Sequence, residues 1–565
     1  MMKIPTRPLR LGLLAAALAL AGCTTTVNPG ATVDINLVAL NDFHGNLEAS
    51  KYEYKGTDQQ EHTVQAGGID VVAGALQAWR KEDSELVLVG AGDLIGASPA
   101  LSSMWADEPT IGAMNMLGLR VTSVGNHEFD QGRFELLRQQ NGGCDSPRAD
   151  KACKYTPTYD GAKFTYLAAN VIDSKTGKPF MPAYRIEQAH GVKIGFIGAV
   201  LKDTASVALA SGIAGLQFGD EADAINRVLP ELRAQGVGVF VVLIHQGGRT
   251  DSAPQQQDCS DLKGDIVDVV KRLDPAIRLV VSGHSHTGYL CRVDGRLVTQ
   301  ADMGGHLMSR IRLKVDPLAN AVREVSANNV LITADAFPAD PAMSTYLQAV
   351  RARSTAQLAL PVARLAVPIV SRTHDDNGES PLGEVVADST LYGARADGVQ
   401  IAFMNNGGIR KDLDAGSDLV TNKGQTQAVL PFGNTLVAMD LTGEQIRGLL
   451  EQQWPDAEAN EKGLLQVSEG FSYRWDSKRP QGQRVLPGSI TLHGVPLDPA
   501  KTYRVSMNNF LAEGGDKFPM FAQGTNRKQT GVRDIDAFTD FLAQRQKDGK
   551  PAGAATPAGR IVRVQ

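Results

Sequence analysis

The sequence predicts a protein of two layered α/β domains, on three observations. A chain of 565 residues is too long for a single hydrophobic core. From residue 33 to about residue 335, short apolar runs rich in β-branched residues alternate with stretches of helical periodicity. One long helical stretch, "DPAMSTYLQAVRARSTAQLAL", then ends at Pro361 as a connector, after which the α/β pattern resumes. The divisions read this way are 33–339 for the first domain, 340–364 for a linker helix and 365–565 for a smaller second domain.

The first 22 residues stand apart from the fold. "MMKIPTRPLR" carries Lys3, Arg7 and Arg10, and "LGLLAAALALAG" is apolar but too short to span a bilayer as a mature helix. It closes on "LAGC", which is similar to the lipobox of bacterial lipoproteins. That similarity implies cleavage before Cys23, a lipid on the Cys23 thiol, and a tether over 23–32. The alternative is an ordinary signal peptide with Cys23 left free; the small residues before the cysteine and the polar "TTTVNPG" favour the lipoprotein. Residue 24 is Thr rather than Asp, so nothing points to retention at the inner membrane. The expected location is the periplasm of a Gram-negative-type bacterium, on the outer membrane, with the membrane as a partner through the lipid alone. No other run approaches the ~18 apolar residues of a spanning helix.

Export predicts an oxidising compartment. Besides Cys23, the thiols are Cys144, Cys153, Cys259 and Cys291. Four cysteines allow three pairings. Proximity favours Cys144 with Cys153, and Cys259 would then join Cys291. Zinc binding is the competing reading, without a C-x-x-C spacing to support it. The net charge of −5 and the absence of a basic block argue against a nucleic-acid polymer as partner. A monomer is expected.

In the first domain "DINLVAL", "ELVLVGAGD", "VTSVGN", "FTYLAAN", "KIGFIGAV", "VGVFVVLIH" and "IRLVVSGH" read as strands, apolar throughout and so covered on both faces. "GGIDVVAGALQAWRKE" and "DEADAINRVLPELRAQG" read as helices. Five of the strands release Asp, Asn or His at the carboxyl end, where ligand sites of α/β sheets lie. These residues are Asp42 and His44, Asp93, Asn126 and His127, His245, and His284 with His286, and they include five of the ten histidines. Each alone is a plausible turn residue; together they read as a metal centre. Mixed Asp, Asn and His ligation suits Mn²⁺, Zn²⁺, Fe²⁺ or Co²⁺ better than Ca²⁺. Seven ligands suit two ions with one bridging carboxylate.

The set D-x-H, G-D, G-N-H-E, H and G-H-x-H resembles the calcineurin-like metallophosphoesterases. The resemblance implies a four-layer α/β/β/α domain and a division of ligands. Asp42, His44, Asp93 and His286 would hold one ion; Asp93, Asn126, His245 and His284 would hold the other. It further implies that His127 stabilises developing charge and protonates the leaving oxygen, with Asp130 fixing its tautomer. Such a pair of ions generates hydroxide near neutral pH and aligns it with a phosphoryl group. Glu128 is expected to cap or pack, and His62, His190, His306, His374 and His493 fall outside the motifs.

The second domain offers three loops, "MNNGGIRKDL", "LPFGNTLV" and "NNFLAEGGDKFPMF". Gly-rich loops let backbone approach a ligand closely, and Arg410 offers a fork for phosphate. Phe432 and Phe510 lie in these polar, glycine-rich settings, unusual for core phenylalanine; the alternative is two buried core rings. The loops resemble the 5′-nucleotidase C-terminal domain, so that with the head nearly the whole mature chain resembles the 5′-nucleotidase/UDP-sugar hydrolase family. The resemblance implies that Phe432 and Phe510 stack a base, Asp516 bonds the ribose, Asn405 and Asn434 add polar contacts and Arg410 binds phosphate. One departure is that "SRTHDDNGESPLGEV" offers only Arg372, well upstream, with Glu384 where the family has Asn. The expected activity is release of phosphate from nucleoside 5′-monophosphates, with UDP-sugars as a further substrate class. The rivals are a 2′,3′-cyclic-nucleotide phosphodiesterase/3′-nucleotidase and a catalytically dead nucleotide-binding lipoprotein.

Overall fold

The protein is seen as a computed structural model that describes residues 32–454 and 464–564. The leader and the Cys23 lipidation site lie outside the described residues. Among the described residues no helix is long and apolar enough to cross a membrane.

Two six-stranded sheets build the first domain. One runs in the order 321–331, 307–316, 33–40, 87–91, 121–123 and 165–167; the other in the order 289–293, 296–300, 279–282, 239–245, 192–200 and 184–189. Strand periodicity explains how they stack. Along Val33–Leu40, Ile35, Leu37 and Ala39 point between the sheets, while Val38 and Leu40 point outward. Along Val239–His245, Val239, Val241 and Leu243 face the first sheet and Phe240, Val242 and Ile244 face away. Both faces of these strands are buried, which is why their sequence is apolar throughout rather than alternating.

The outward faces are covered by helices. Ile69–Glu82, Glu108–Leu117, Gly132–Asn141 and Pro341–Leu358 pack on the first sheet through residues such as Leu76, Met114, Leu136 and Leu347. Glu221–Ala234 and Asp265–Lys271 cover the second through Ile225, Leu229 and Ile266. The result is a four-layer α/β/β/α sandwich. The stretch expected as a connector forms the helix Pro341–Leu358, capped by the Asp340 side chain. It lies against the first domain, burying Met343, Leu347 and Val350. Cys144 is joined to Cys153, and Cys259 to Cys291.

The parallel run 33–40, 87–91, 121–123 brings three strand ends to one edge, and the parallel pair 239–245 and 279–282 brings two more. All the metal-type residues follow these ends. The second domain is organised by the same logic around a five-stranded sheet ordered 466–467, 401–404, 502–508, 435–442 and 525–533. Strands 401–404 and 502–508 are parallel, so residues 405–410 and 509–516 leave at the same edge. Strand 435–442 is antiparallel to 502–508, so the loop that enters it, 430–434, lies there too.

Candidate metal centre and adjoining cleft

The seven residues expected at the metal centre converge on one edge of the sandwich, and Asp42, His44, Asp93, Asn126 and His245 are buried. His286 Nε2 lies 3.3 Å from Asp42 Oδ1 and 3.1 Å from His44 Nε2. His44 Nε2 is 3.6 Å from Asp93 Oδ2. From the other side His245 Nε2 is 3.0 Å from the same Asp93 oxygen and 3.1 Å from Asn126 Oδ1. His284 Nδ1 is 3.0 Å from Asn126 Oδ1. Donor atoms about 3 Å apart are spaced as neighbours around one cation held at ~2.1 Å. The donors form two such groups that share Asp93, so the residues fit a pair of divalent ions.

The surroundings orient the donors. His44 Nδ1 is 2.8 Å from Gly96 O, and His245 Nδ1 is 2.8 Å from Ala91 O, which turns each Nε2 toward the centre. Burial presses His44 down to about 3 and His284 to about 4, keeping both in the neutral form that coordinates. For Asp93 burial acts upward, but His245 and His127 beside it hold the carboxylate well below its usual range. His245 is pushed up to about 10, because the carboxylates of Asp93 and Asp42 outweigh its burial. A cation held by these residues would take over the role of that proton.

The glycines of the motifs have steric reasons. A Cβ on Gly125 would stand 2.1 Å from Asp93 Oδ1, and one on Gly283 would stand 2.9 Å from His245 Nδ1 and 3.0 Å from Asp42 Oδ2. Five of the seven donor residues, Asp42, His44, Asp93, His284 and His286, have φ between 47° and 75°. Side chains other than glycine rarely adopt this backbone, and such strain gathers at functional sites.

His127 opens a 3₁₀ turn, His127–Phe129, and Asp130 caps it, which closes the i, i+3 pair. His127 Nδ1 lies 2.9 Å from Asp130 Oδ2, and the His127 backbone N–H donates to Asp93 Oδ1 at 2.9 Å. Burial works against the imidazolium, but the charges of Asp130 and Asp93 prevail and raise the His127 pKa. Glu128 does cap: its carboxylate accepts from the backbone N–H of Asp93, Leu94 and Gly125 at 2.9, 2.8 and 2.6 Å. One carboxylate thus ties two ligand loops together.

A cleft of about 760 Å³ adjoins the centre and is lined from both domains. Asn126, His127, Asp130 and His284 meet Asn405, Arg410, Phe432, Asn434, Phe510 and Asp516 there. All six residues expected to contact substrate therefore face one space. Phe432 and Phe510 are half-buried rather than core rings. Phe432 lies parallel to the His127 imidazole, with centroids 5.8 Å apart and planes at 16°. Asn405 Nδ2 donates to Asp516 Oδ2 at 2.6 Å. Burial, together with Arg372 nearby, lowers the Arg410 pKa. Arg372 donates to the carbonyl oxygens of Ile409 and Arg410 at 3.0 and 2.6 Å, so it braces the Arg410 loop.

Three lining residues escaped the sequence reading: Asn508, Val207 and Leu209. Asn508 holds Asn405 Oδ1 at 3.0 Å and caps the helix Asn509–Ala512. Its place directly before Asn509 and Phe510 was the available signal. Val207 and Leu209 come from a segment without any motif, and no pattern marked them.

The family model described as 5′-nucleotidase, C-terminal domain matches residues 361–523. The chain is 31% identical over 562 residues to a cell wall protein of Listeria monocytogenes, covering 95% of this chain and 70% of the relative. It is 30% identical over 536 residues to the endonuclease YhcR of Bacillus subtilis, covering 94% of this chain but only 41% of that longer protein's length. Among solved structures, the 5′-nucleotidase precursor of Thermus thermophilus superposes with a TM-score of 0.72 at 27% identity, covering 94% of this chain and all of that one. With its metal-type head, its cleft between domains and this set of relatives, the chain belongs to the 5′-nucleotidase family, a metallophosphoesterase domain followed by a 5′-nucleotidase C-terminal domain.

Proposed function

We propose that the chain is an exported, metal-dependent phosphohydrolase that releases phosphate from nucleoside 5′-monophosphates, a role in nucleotide scavenging. One observation carries the reading: donors for two cations and a half-buried pair of phenylalanines line a single cleft contributed by both domains. A binding protein needs the rings and Arg410 but has no use for the His127–Asp130 pair. The solved relative described as a 5′-nucleotidase precursor supports the same substrate class.

When bound, the two divalent ions supply an activated water and balance charge on the phosphoryl oxygens. The chain's residues do the rest. Arg410, with no carboxylate bonded to it among the described residues, faces the cleft as a counter-charge for phosphate. Phe432 and Phe510 take up the base and Asp516, steadied by Asn405, the ribose. Asp130 holds the His127 Nδ1 proton, which leaves Nε2 to protonate the 5′ oxygen as it departs. Attachment through a lipid on Cys23 completes the proposal and rests on the "LAGC" motif alone.

The test is a turnover panel with Mn²⁺ supplied: AMP, 3′-AMP, 2′,3′-cyclic AMP, ATP and UDP-glucose. AMP should give the highest kcat/KM, and turnover of UDP-glucose would add UDP-sugars as a second class. Preference for the cyclic nucleotide or 3′-AMP would overturn the reading, as would two bound metals without phosphate release from any of the five.

A further inference from the structure

A second cavity opens where the two domains meet, on the far side of the 430–434 loop from the cleft. It is a solvent-open groove of about 1330 Å³ lined by Trp105, Asp150, Lys151 and Lys154 of the first domain and by Lys423, Gly433, Arg533 and Asp536 of the second. Four cations face two carboxylates. Arg533 accounts for both acids, lying 3.2 Å from Asp150 and 2.8 Å from Asp536. Lys151, Lys154 and Lys423 are then left without a carboxylate partner among the described residues.

The segment that carries Lys151 and Lys154 is held in place. Cys144–Cys153 closes the loop that carries Lys151. Within it Arg148 is anchored at 2.8 Å to both Asp107 and Glu135. The Lys154 backbone N–H donates to Lys151 O at 3.3 Å, a turn that sets the two lysines i, i+3 apart. Burial and the guanidiniums of Arg148 and Arg533 lower the Lys151 pKa against the opposing carboxylates of Asp107 and Asp150. Trp105 on the same wall is half-buried, its Nε1 donating to Ser354 Oγ at 2.8 Å.

We propose that this groove is a second anion site, taking the phosphate groups of a small phosphate-bearing ligand between Lys151 and Lys154 on one domain and Lys423 on the other. A polyanion bound in the groove would be attracted by the lysines of both walls at once. Lysine serves phosphate as a point charge. Gly433 lines the groove directly beside Phe432, so an anion there bears on the loop that forms one wall of the catalytic cleft. The chemistry fits free phosphate or pyrophosphate, and equally the phosphates of a nucleoside polyphosphate. The inference rests on charge and geometry outside the cleft and does not depend on the catalytic reading.

The test is calorimetric titration of the metal-loaded protein with imidodiphosphate, and in parallel with a methylene-bridged nucleoside diphosphate. Wild type should bind two equivalents, one of them at the catalytic cleft. Lys151→Ala with Lys423→Ala should lose one equivalent, its affinity falling about tenfold or more per lysine, while p-nitrophenyl phosphate turnover without added anion stays unchanged. Lys154→Gln, at an exposed position, is a second variant that should weaken the same equivalent without endangering the fold. Tighter binding of the nucleoside probe would place a nucleotide in the groove with its base on Trp105; equal binding would assign the site to free phosphate. A wild-type equivalent, single or one of two, that is undiminished in every lysine variant, with no equivalent lost in them, would overturn the proposal. Failure of the catalytic reading would appear instead as absent AMP turnover with both equivalents intact.

Discussion

At the scale of single residues, the centre depends on what the chain leaves out as much as on its donors. Gly125 carries no unusual φ, so Gly125→Ala tests sterics alone: the new methyl would sit 2.1 Å from Asp93 Oδ1. We expect metal content and phosphate release to fall together, by roughly the 10–100-fold seen when supporting residues of metal sites are changed. Normal metal occupancy by elemental analysis would show that the loop yields. Asp130→Asn should leave both metals bound but lower kcat on AMP by ~10²–10⁴. The loss should be smaller on p-nitrophenyl phosphate, whose leaving group scarcely needs a proton; equal losses would mean that His127 only stabilises charge. The donor types and their glycines were legible in the sequence, because Asp, Asn and His after apolar strands form a recognisable set. The left-handed backbone of five donors was not, since φ at a loop residue is fixed by tertiary contacts such as the four backbone donors that Glu128 gathers.

At the scale of elements, the strands were legible because burial on both faces leaves an apolar run, and the helices Ile69–Glu82 and Glu221–Ala234 because their buried faces recur at helical spacing. Less legible was what Glu384 does where the family has Asn. It stands in the first turn of the helix Pro381–Gly393, buried beside Glu379. Glu384 Oε1 accepts from the Ala558 backbone N–H at 2.7 Å, and Glu379 from those of Gly559 and Arg560 at 3.0 Å. The pair thus docks the chain's last strand, Ile561–Arg563, a long-range role invisible in local sequence. Burial and the adjacent Glu384 push Glu379 up to about 8 from an ordinary 4.5. A carboxyl whose pKa is raised by folding favours the folded state fully below the unfolded value, and that contribution is lost as pH rises through the folded value. Stability of the second domain should therefore decline between about pH 4.5 and about pH 8. In Glu379→Gln this part of the slope should vanish in thermal melts taken across that range. An unchanged slope would place the titrating group elsewhere.

At the scale of the whole molecule, the cleft exists only because the two domains lie against each other in this arrangement. Gln131 Nε2 reaches the Phe432 carbonyl at 3.4 Å, Ser211 N–H donates to Glu513 at 2.9 Å, and Lys517 stands 3.4 Å from Asp203. These polar contacts are joined by the Arg533–Asp150 pair, by the Phe432–His127 ring contact and by packing of the helix Lys423–Val429 on Ala100–Ser103 and Pro341–Leu358. The sequence marked the residues of both walls, but not that the walls meet, since packing between domains leaves no periodic trace; Val207 and Leu209 went unnoticed for that reason. The arrangement gives base recognition to one domain and chemistry to the other, and the two tasks should separate experimentally. If Phe432 and Phe510 hold the base, each stack contributes ~1–3 kcal/mol, by analogy with aromatic stacking on single strands. Phe432→Ala with Phe510→Ala should then raise KM for AMP by about 30-fold to about 20,000-fold. Hydrolysis of bis(p-nitrophenyl) phosphate, which has no base, should change far less because every metal-type donor belongs to the first domain. The parallel contact between Phe432 and His127 sharpens the comparison. Phe432→Ala alone also frees one face of that imidazole, so a fall in kcat on both substrates would assign Phe432 to positioning His127, whereas a rise in KM confined to AMP would assign it to the base. Unaltered AMP kinetics in the double variant would remove both rings from recognition and leave selection to Asn405, Asn508 and Asp516.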